Sequence, residues 1–133
     1  MKRLVAVAGV FFLASTLGAF AEGDAAKGEK VFKKCKACHQ IGEGAENKVG
    51  PLLTGVVGRP IGTVPDFKYS EGYIALGEQG VTWDDEKLMA YLLDPKDFLK
   101  GAGVEAKSKM TFKLKKEDER EDVIAYLKTF SAQ

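Results

Sequence analysis

The stretch Lys33-Lys34-Cys35-Lys36-Ala37-Cys38-His39 holds both cysteines of this 133-residue chain and its only histidine. Any fold the chain adopts has to accommodate the chemistry of that cluster. Two cysteines three apart form a disulfide by default in an exported protein, or a redox-active pair. A thioredoxin-like site needs a βαβ context that the sequence lacks. A structural zinc ion needs four Cys or His ligands, and only three such side chains exist. The adjacent His39 shifts the balance away from a Cys35–Cys38 disulfide: C-x-x-C-H is the attachment signature of c-type haem. On one helical turn, the thiols of Cys35 and Cys38 reach the two vinyl groups of the porphyrin. His39 then points its imidazole at the iron from the same side.

The first residues do not read as part of a fold. Met1-Lys2-Arg3 is basic, Leu4 to Leu17 is almost wholly apolar, and Ala19-Phe20-Ala21 is a small-x-small site. That layout is a cleaved secretory signal peptide over residues 1–21. The rival reading is an uncleaved anchor, since residues 4–21 barely span a bilayer. An anchored domain needs a tether, however, and Cys35 follows Ala21 closely. Residues 22–133 then form one domain of the usual size. Without Lys2 and Arg3, the 20 basic residues become 18 against 19 acidic ones, so nucleic acid is excluded as a partner. The charges are unevenly spread. Lysines crowd residues 96–116, and Glu117, Asp118, Glu119, Glu121 and Asp122 follow at once.

Periodicity predicts an all-α protein of four to five helices joined by long loops. A first helix runs over residues 24–35, with Asp24 as its N-cap and Gly28, Val31, Phe32 and Cys35 on one stripe. Ser70 caps a short helix that stops at Gly77. Thr82-Trp83-Asp84-Asp85 reads as a capping box opening a helix through Leu88, Tyr91 and Leu92 that Pro95 ends. The last helix covers about 117–130, with Val123, Ile124, Leu127 and Phe130 as its apolar face. Loops this long in so small a domain need a non-protein core to pack on.

The mature chain resembles a class I c-type cytochrome, most of all the bacterial cytochromes c2. The resemblance rests on GDAAKGEKVFKKCKACH (23–39), NKVGPLLTGVVGR (47–59), VTWDDEKLMAYLLDPK (81–96), KSKMTFK (107–113) and EREDVIAYLK (119–128). These stretches match in order and at compatible spacing over residues 23–130. The resemblance implies the cytochrome c fold, wrapped around one covalently attached haem c.

Composition then narrows the iron's second axial position. With no second histidine, the candidates in residues 22–133 are Met89 and Met110. Met89 lies in a helix among Leu88, Tyr91 and Leu92, where methionine fills core. Met110 sits in a polar loop, and the resemblance assigns it as the axial methionine. The same resemblance implies that the Pro51 carbonyl takes the second proton of His39, and that Tyr91 bonds the Met110 sulfur. Arg59, Tyr69 and Trp83 correspond to residues on the side of the haem propionates, with Ser70 at a position where a small hydroxyl residue is common. Ser108 replaces the more usual threonine and still offers a hydroxyl inward. Gly28, Phe32 and Tyr126 correspond to the contact between the first and last helices. The stretch between Trp83 and Met110 is longer than in mitochondrial relatives, which bears on the partner-facing surface.

A His/Met haem with no open position does little except exchange one electron, so the expectation is a soluble, monomeric, periplasmic carrier rather than an enzyme. Lys34 and Lys36 beside the attachment site, with Lys109, Lys113 and Lys115 beside Met110, would ring the exposed haem edge. They would steer the protein to acidic membrane complexes. The resemblance implies a cytochrome bc1 complex as donor and a photosynthetic reaction centre or cytochrome c oxidase as acceptor. The alternatives are an electron acceptor for a periplasmic dehydrogenase and, in a different class, a haem enzyme or gas sensor with an open sixth site.

Overall fold

The structure, a computed structural model, describes Gly9 and residues 23–131. The expected signal peptide at 1–21 lies outside the described residues, Gly9 apart. Five helices follow in chain order: α1 (Ala25–Phe32), α2 (Glu71–Glu78), α3 (Asp85–Leu93), α4 (Pro95–Gly101) and α5 (Glu117–Lys128). The described residues form no sheet. Only an isolated bridge joins Pro60 to Thr82. No described helix is long and apolar enough to cross a membrane.

The helix ends are set by local chemistry. Asp24 caps α1, its carboxylate accepting from the Ala26 and Lys27 amides at 2.8 and 3.1 Å. Such a cap stabilises a helix by roughly 1 kcal/mol. The α1 ladder stops at Phe32, earlier than expected. The chain then tightens into turns, with the Cys35 amide bonded to the Phe32 carbonyl and the His39 amide to the Cys35 carbonyl. α3 is capped by Asp84, not by Thr82, because the Asp84 carboxylate reaches the Lys87 amide at 2.8 Å. Pro95 ends α3 as expected but also opens α4, which periodicity had not indicated. Asp94 accepts from the amides of Lys96 and Asp97, and proline at the first helical position gives up an N–H that would be unpaired anyway. Ser70 stands at the N-cap of α2 without a side-chain capping bond.

α1 packs against α5 more extensively than any other helix pair. The crossing depends on Gly28. A methyl group there would overlap the Asp122 carbonyl and crowd the Tyr126 Cβ. Phe32 is fully buried beside it, its ring 5.4 Å from that of Tyr126. The Asp24 amide donates to the Asp122 carboxylate at 2.7 Å and closes the end of the pair. Gly28→Ala must therefore push two backbones apart. We expect a loss of about 2–4 kcal/mol, the upper range for overpacking a single site. Denaturant titration of the haem-loaded protein checks this, and an unchanged midpoint would rule the close contact out.

Within the segment between Trp83 and Met110, α4 buries Leu99 fully. Phe98 sets its ring 5.5 Å from Trp83 and 5.6 Å from Tyr91. α4 thus buttresses Trp83 and Tyr91, which line the central cavity.

Candidate haem site

None of the five described helices exceeds 12 residues, and isolated helices of that length are marginal in water. They hold together around a cavity of about 390 Å³ at the centre of the fold. That is within the range of cofactor pockets. Its walls are chiefly apolar, including Phe32, Val56, Leu88, Leu92, Val123 and Leu127. Cys35, Cys38, His39 and Met110 all line it.

Each candidate ligand is already oriented by a neighbour. The His39 Nδ1 lies 2.7 Å from the Pro51 carbonyl oxygen. A carbonyl can only accept, so the proton sits on Nδ1 and Nε2 keeps its lone pair for a metal. Burial, with a smaller contribution from the Arg59 charge, lowers the His39 pKa. That favours the neutral, ligating imidazole. Gly50 allows the arrangement, because a Cβ there would strike the His39 ring. The Tyr91 hydroxyl donates to the Met110 sulfur at 3.4 Å. Burial raises the Tyr91 pKa well above the ordinary phenol value, which keeps that donor protonated. Met89 packs on the core but does not line the cavity.

Both cysteines are free thiols. Burial, reinforced by Cys38, pushes the Cys35 thiol up to about 11. A redox-active C-x-x-C motif needs the opposite shift. The donor set, the apolar walls and the pre-oriented His39 therefore fit a covalently held haem.

Arg59, Tyr69, Ser70 and Trp83 also line the cavity. Arg59 donates to the carbonyls of Leu52 and Thr54 at 3.0 and 3.3 Å, pinning the loop that follows Pro51. The Tyr69 hydroxyl accepts from the Val64 amide at 3.1 Å. Ser108 is absent from the wall. It is buried behind it, accepting from the Met110 amide at 3.1 Å and lying 2.5 Å from the Tyr73 hydroxyl. Tyr73, which does line the cavity, and Gly50 were not singled out by sequence reasoning. Gly50 had a signal in its place just before Pro51. Tyr73 had none, since its partners lie 18 and 35 positions away.

The expected lysine ring divides. Lys34 and Lys109 reach the cavity mouth, together with Lys68, which the sequence analysis did not single out. Lys36, Lys113 and Lys115 do not line it. Lys34 pairs with Glu119 at 3.3 Å and Lys113 with Asp94 at 2.9 Å. Val49 and Phe112 stand exposed at the same mouth.

Among the described residues, five short helices around an apolar cavity, with C-x-x-C-H in its wall and a methionine facing in, define a c-type haem protein. The cytochrome c family model matches residues 25–131, and the chain belongs to that family. Within the family its similarity lies with the cytochromes c2. It is 54% identical over 118 residues to cytochrome c2 iso-1 of Rhodospirillum centenum, covering 83% of this chain and 98% of that one. With cytochrome c2 of Rhodospirillum rubrum it shares 51% identity over 133 residues, covering 97% of this chain and 98% of the relative. The solved structure of cytochrome c2 from Rhodospirillum centenum superposes with a TM-score of 0.77 at 54% identity, covering 83% and 100% of the two chains. Ferric cytochrome c-550 from Paracoccus versutus gives 0.74 at 45% identity, covering 84% and 100%. Membership brings one covalently attached haem c and the role of electron carrier rather than enzyme.

Proposed function

We propose that Cys35 and Cys38 carry the haem through thioethers, that His39 and Met110 are its axial ligands, and that the protein shuttles single electrons between membrane complexes. The observation that carries this reading is the pair of braced ligands on one cavity, His39 held by Pro51 and Met110 by Tyr91. When bound, the haem supplies reversible one-electron exchange at its iron.

The chain's own residues set the terms of that exchange. His39 presents Nε2 in a fixed orientation, so ligation costs little reorganisation. Met110 presents a neutral thioether, a weak donor that favours the less charged ferrous state. The apolar wall acts in the same direction, because an uncompensated charge is costly to bury. Arg59, Tyr69 and Trp83 line the cavity and would supply donors to the haem's carboxylates. Lys34, Lys68 and Lys109 place positive charge around the mouth, next to the exposed apolar Val49 and Phe112. A charged rim around an apolar spot suits brief encounters with an acidic partner, which weaken as salt is added.

Residues 1–21 export the chain, and 22–133 work in the periplasm as a monomer. The donor is a cytochrome bc1 complex, and the acceptor is a photosynthetic reaction centre or a terminal oxidase. Near-infrared absorption of the purified ferric protein tests the ligand assignment. The weak sulfur-to-iron charge-transfer band is expected. A haem-loaded protein without it would refute Met110 as ligand and with it the closed-site carrier.

A further inference from the structure

The Pro51 carbonyl that orients His39 belongs to a peptide group whose other end is also engaged. The Leu52 amide, the N–H of that same peptide, donates to the Asn47 Oδ1 at 2.9 Å. The Asn47 Nδ2 in turn donates to the Pro65 carbonyl at 3.0 Å. These two contacts fix which way the side-chain amide faces. The Leu52 N–H can only donate and the Pro65 carbonyl can only accept, so a flipped amide would lose both bonds. The Gly50 amide donates to the Cys38 carbonyl at 2.8 Å, which ties the same turn to the attachment motif.

A trans peptide holds its C=O and N–H antiparallel, and the described residues contain no cis bond. One line therefore runs from the Asn47 Oδ1 through the Leu52 N–H and the Pro51 C=O to the His39 Nδ1. Hydrogen bonds in such a line polarise one another, by roughly 10–30% per bond. By accepting from the Leu52 N–H, Asn47 leaves more negative charge on the Pro51 oxygen. That oxygen then holds the Nδ1 proton of His39 more strongly, and Nε2 becomes the more basic end of the ring. Both bonds are part-buried, where such polarisation counts for more than in water.

We propose that Asn47 is a positioning residue for His39, setting through the Pro51–Leu52 peptide how strongly the imidazole donates. The proposal rests on His39 being an axial ligand. Every proton stays on its own nitrogen, and only the polarity of the line changes. A stronger donor stabilises the ferric state relative to the ferrous one, so Asn47 holds the reduction potential down. Met110 and the apolar wall pull it up. Ligand identity sets the range of the potential, and Asn47 sets a position within that range.

The test compares the haem-loaded protein with its Asn47→Ala and Asn47→Asp variants. Asn47→Ala removes the acceptor. The ferrous/ferric equilibrium should move about two- to fivefold towards ferrous, part of the worth of one hydrogen bond. In the ferrous protein the Nδ1–H proton resonance of His39 should move upfield, as a weaker hydrogen bond requires. Asn47→Asp keeps an acceptor and charges it, so both signals should move the opposite way. Its potential is read in about 1 M salt, where a Debye length of about 3 Å screens the through-space effect of the new charge. Asn47→Ser, a milder truncation, replaces Asn47→Ala with the same signs expected if the alanine protein does not fold. A residue that merely ties two loops together would lower the denaturation midpoint and leave the potential and the resonance where they were. An unmoved potential or an unmoved resonance in the truncated protein overturns the proposal, as do shifts of the same sign in both variants. The wild type keeps the two readings apart. Its ferrous His39 ring protons should carry the large upfield shift of groups held over a porphyrin face. Absence of that shift would refute His39 as ligand, whereas its presence with unmoved variants would refute only the role of Asn47.

Discussion

Replacing Met110 with histidine lowers the reduction potential by roughly 0.2–0.4 V, a substantial part of the ~0.8 V that axial ligands command, while the haem stays covalently attached. The proposed thioethers are at Cys35 and Cys38, and the substitution falls on a loop 72 positions beyond Cys38, so attachment and ligand exchange are separable. Imidazole is the stronger donor and stabilises ferric iron where the thioether favours ferrous iron. The Tyr91 hydroxyl, 3.4 Å from the sulfur in the native protein, also loses its acceptor there. The loop itself should hold, because Ser108 accepts from the backbone amide of residue 110, which the substitution retains. Met89→Leu is the control, since Met89 does not line the cavity and should leave the potential where it was. Voltammetry on the three proteins checks this. A Met110→His protein with the native potential would remove Met110 from the iron.

The doubly substituted Cys35→Ser, Cys38→Ser chain loses its haem to acidified organic solvent and, once emptied, loses its helices. Leaving the 390 Å³ cavity unfilled costs about 9 kcal/mol at roughly 24 cal/mol per Å³. A domain of this size is stable by only about 5–15 kcal/mol in total. The cavity penalty is therefore of the same order as the whole stability. The secondary structure cannot make up the difference, because the longest described helix has 12 residues and needs tertiary packing to persist. Far-ultraviolet circular dichroism of the extracted chain should show most of the helix signal gone. A cooperative native-like melt in the extracted chain would mean that the fold does not depend on the cofactor.

The two predictions differ in how early their basis could be read. The thioether pair, the lone histidine and the choice between two methionines are properties of composition and of neighbours along the chain. The capping at Asp24, the α1 stripe with Gly28 and Phe32, and the acidic start of α5 are also short-range, and the structure shows them in place. α4 escaped because its helix signal is weak: seven residues, opened by a proline that also ends the helix before it. Asp94 resolves that ambiguity by closing α3 and capping α4 at once. The lysines show the same limit. Lys34 and Lys113 look alike in sequence, yet Lys34 reaches the cavity mouth, and each is paired with an acid from a distant helix end.

The sequence alone determined the chemistry of attachment, since Cys35, Cys38 and His39 are adjacent along the chain and hence adjacent in space whatever the rest of the fold does. It also determined that no second histidine could complete the iron. Only the tertiary structure decided what surrounds that chemistry. Gly50 makes room for the His39 ring, Lys68 arrives at the rim, and Tyr73 joins Tyr91 to Ser108 behind Met110. Those contacts join residues many positions apart in the chain. They exist because long loops close over one apolar cavity, and no local pattern of side chains encodes that closure.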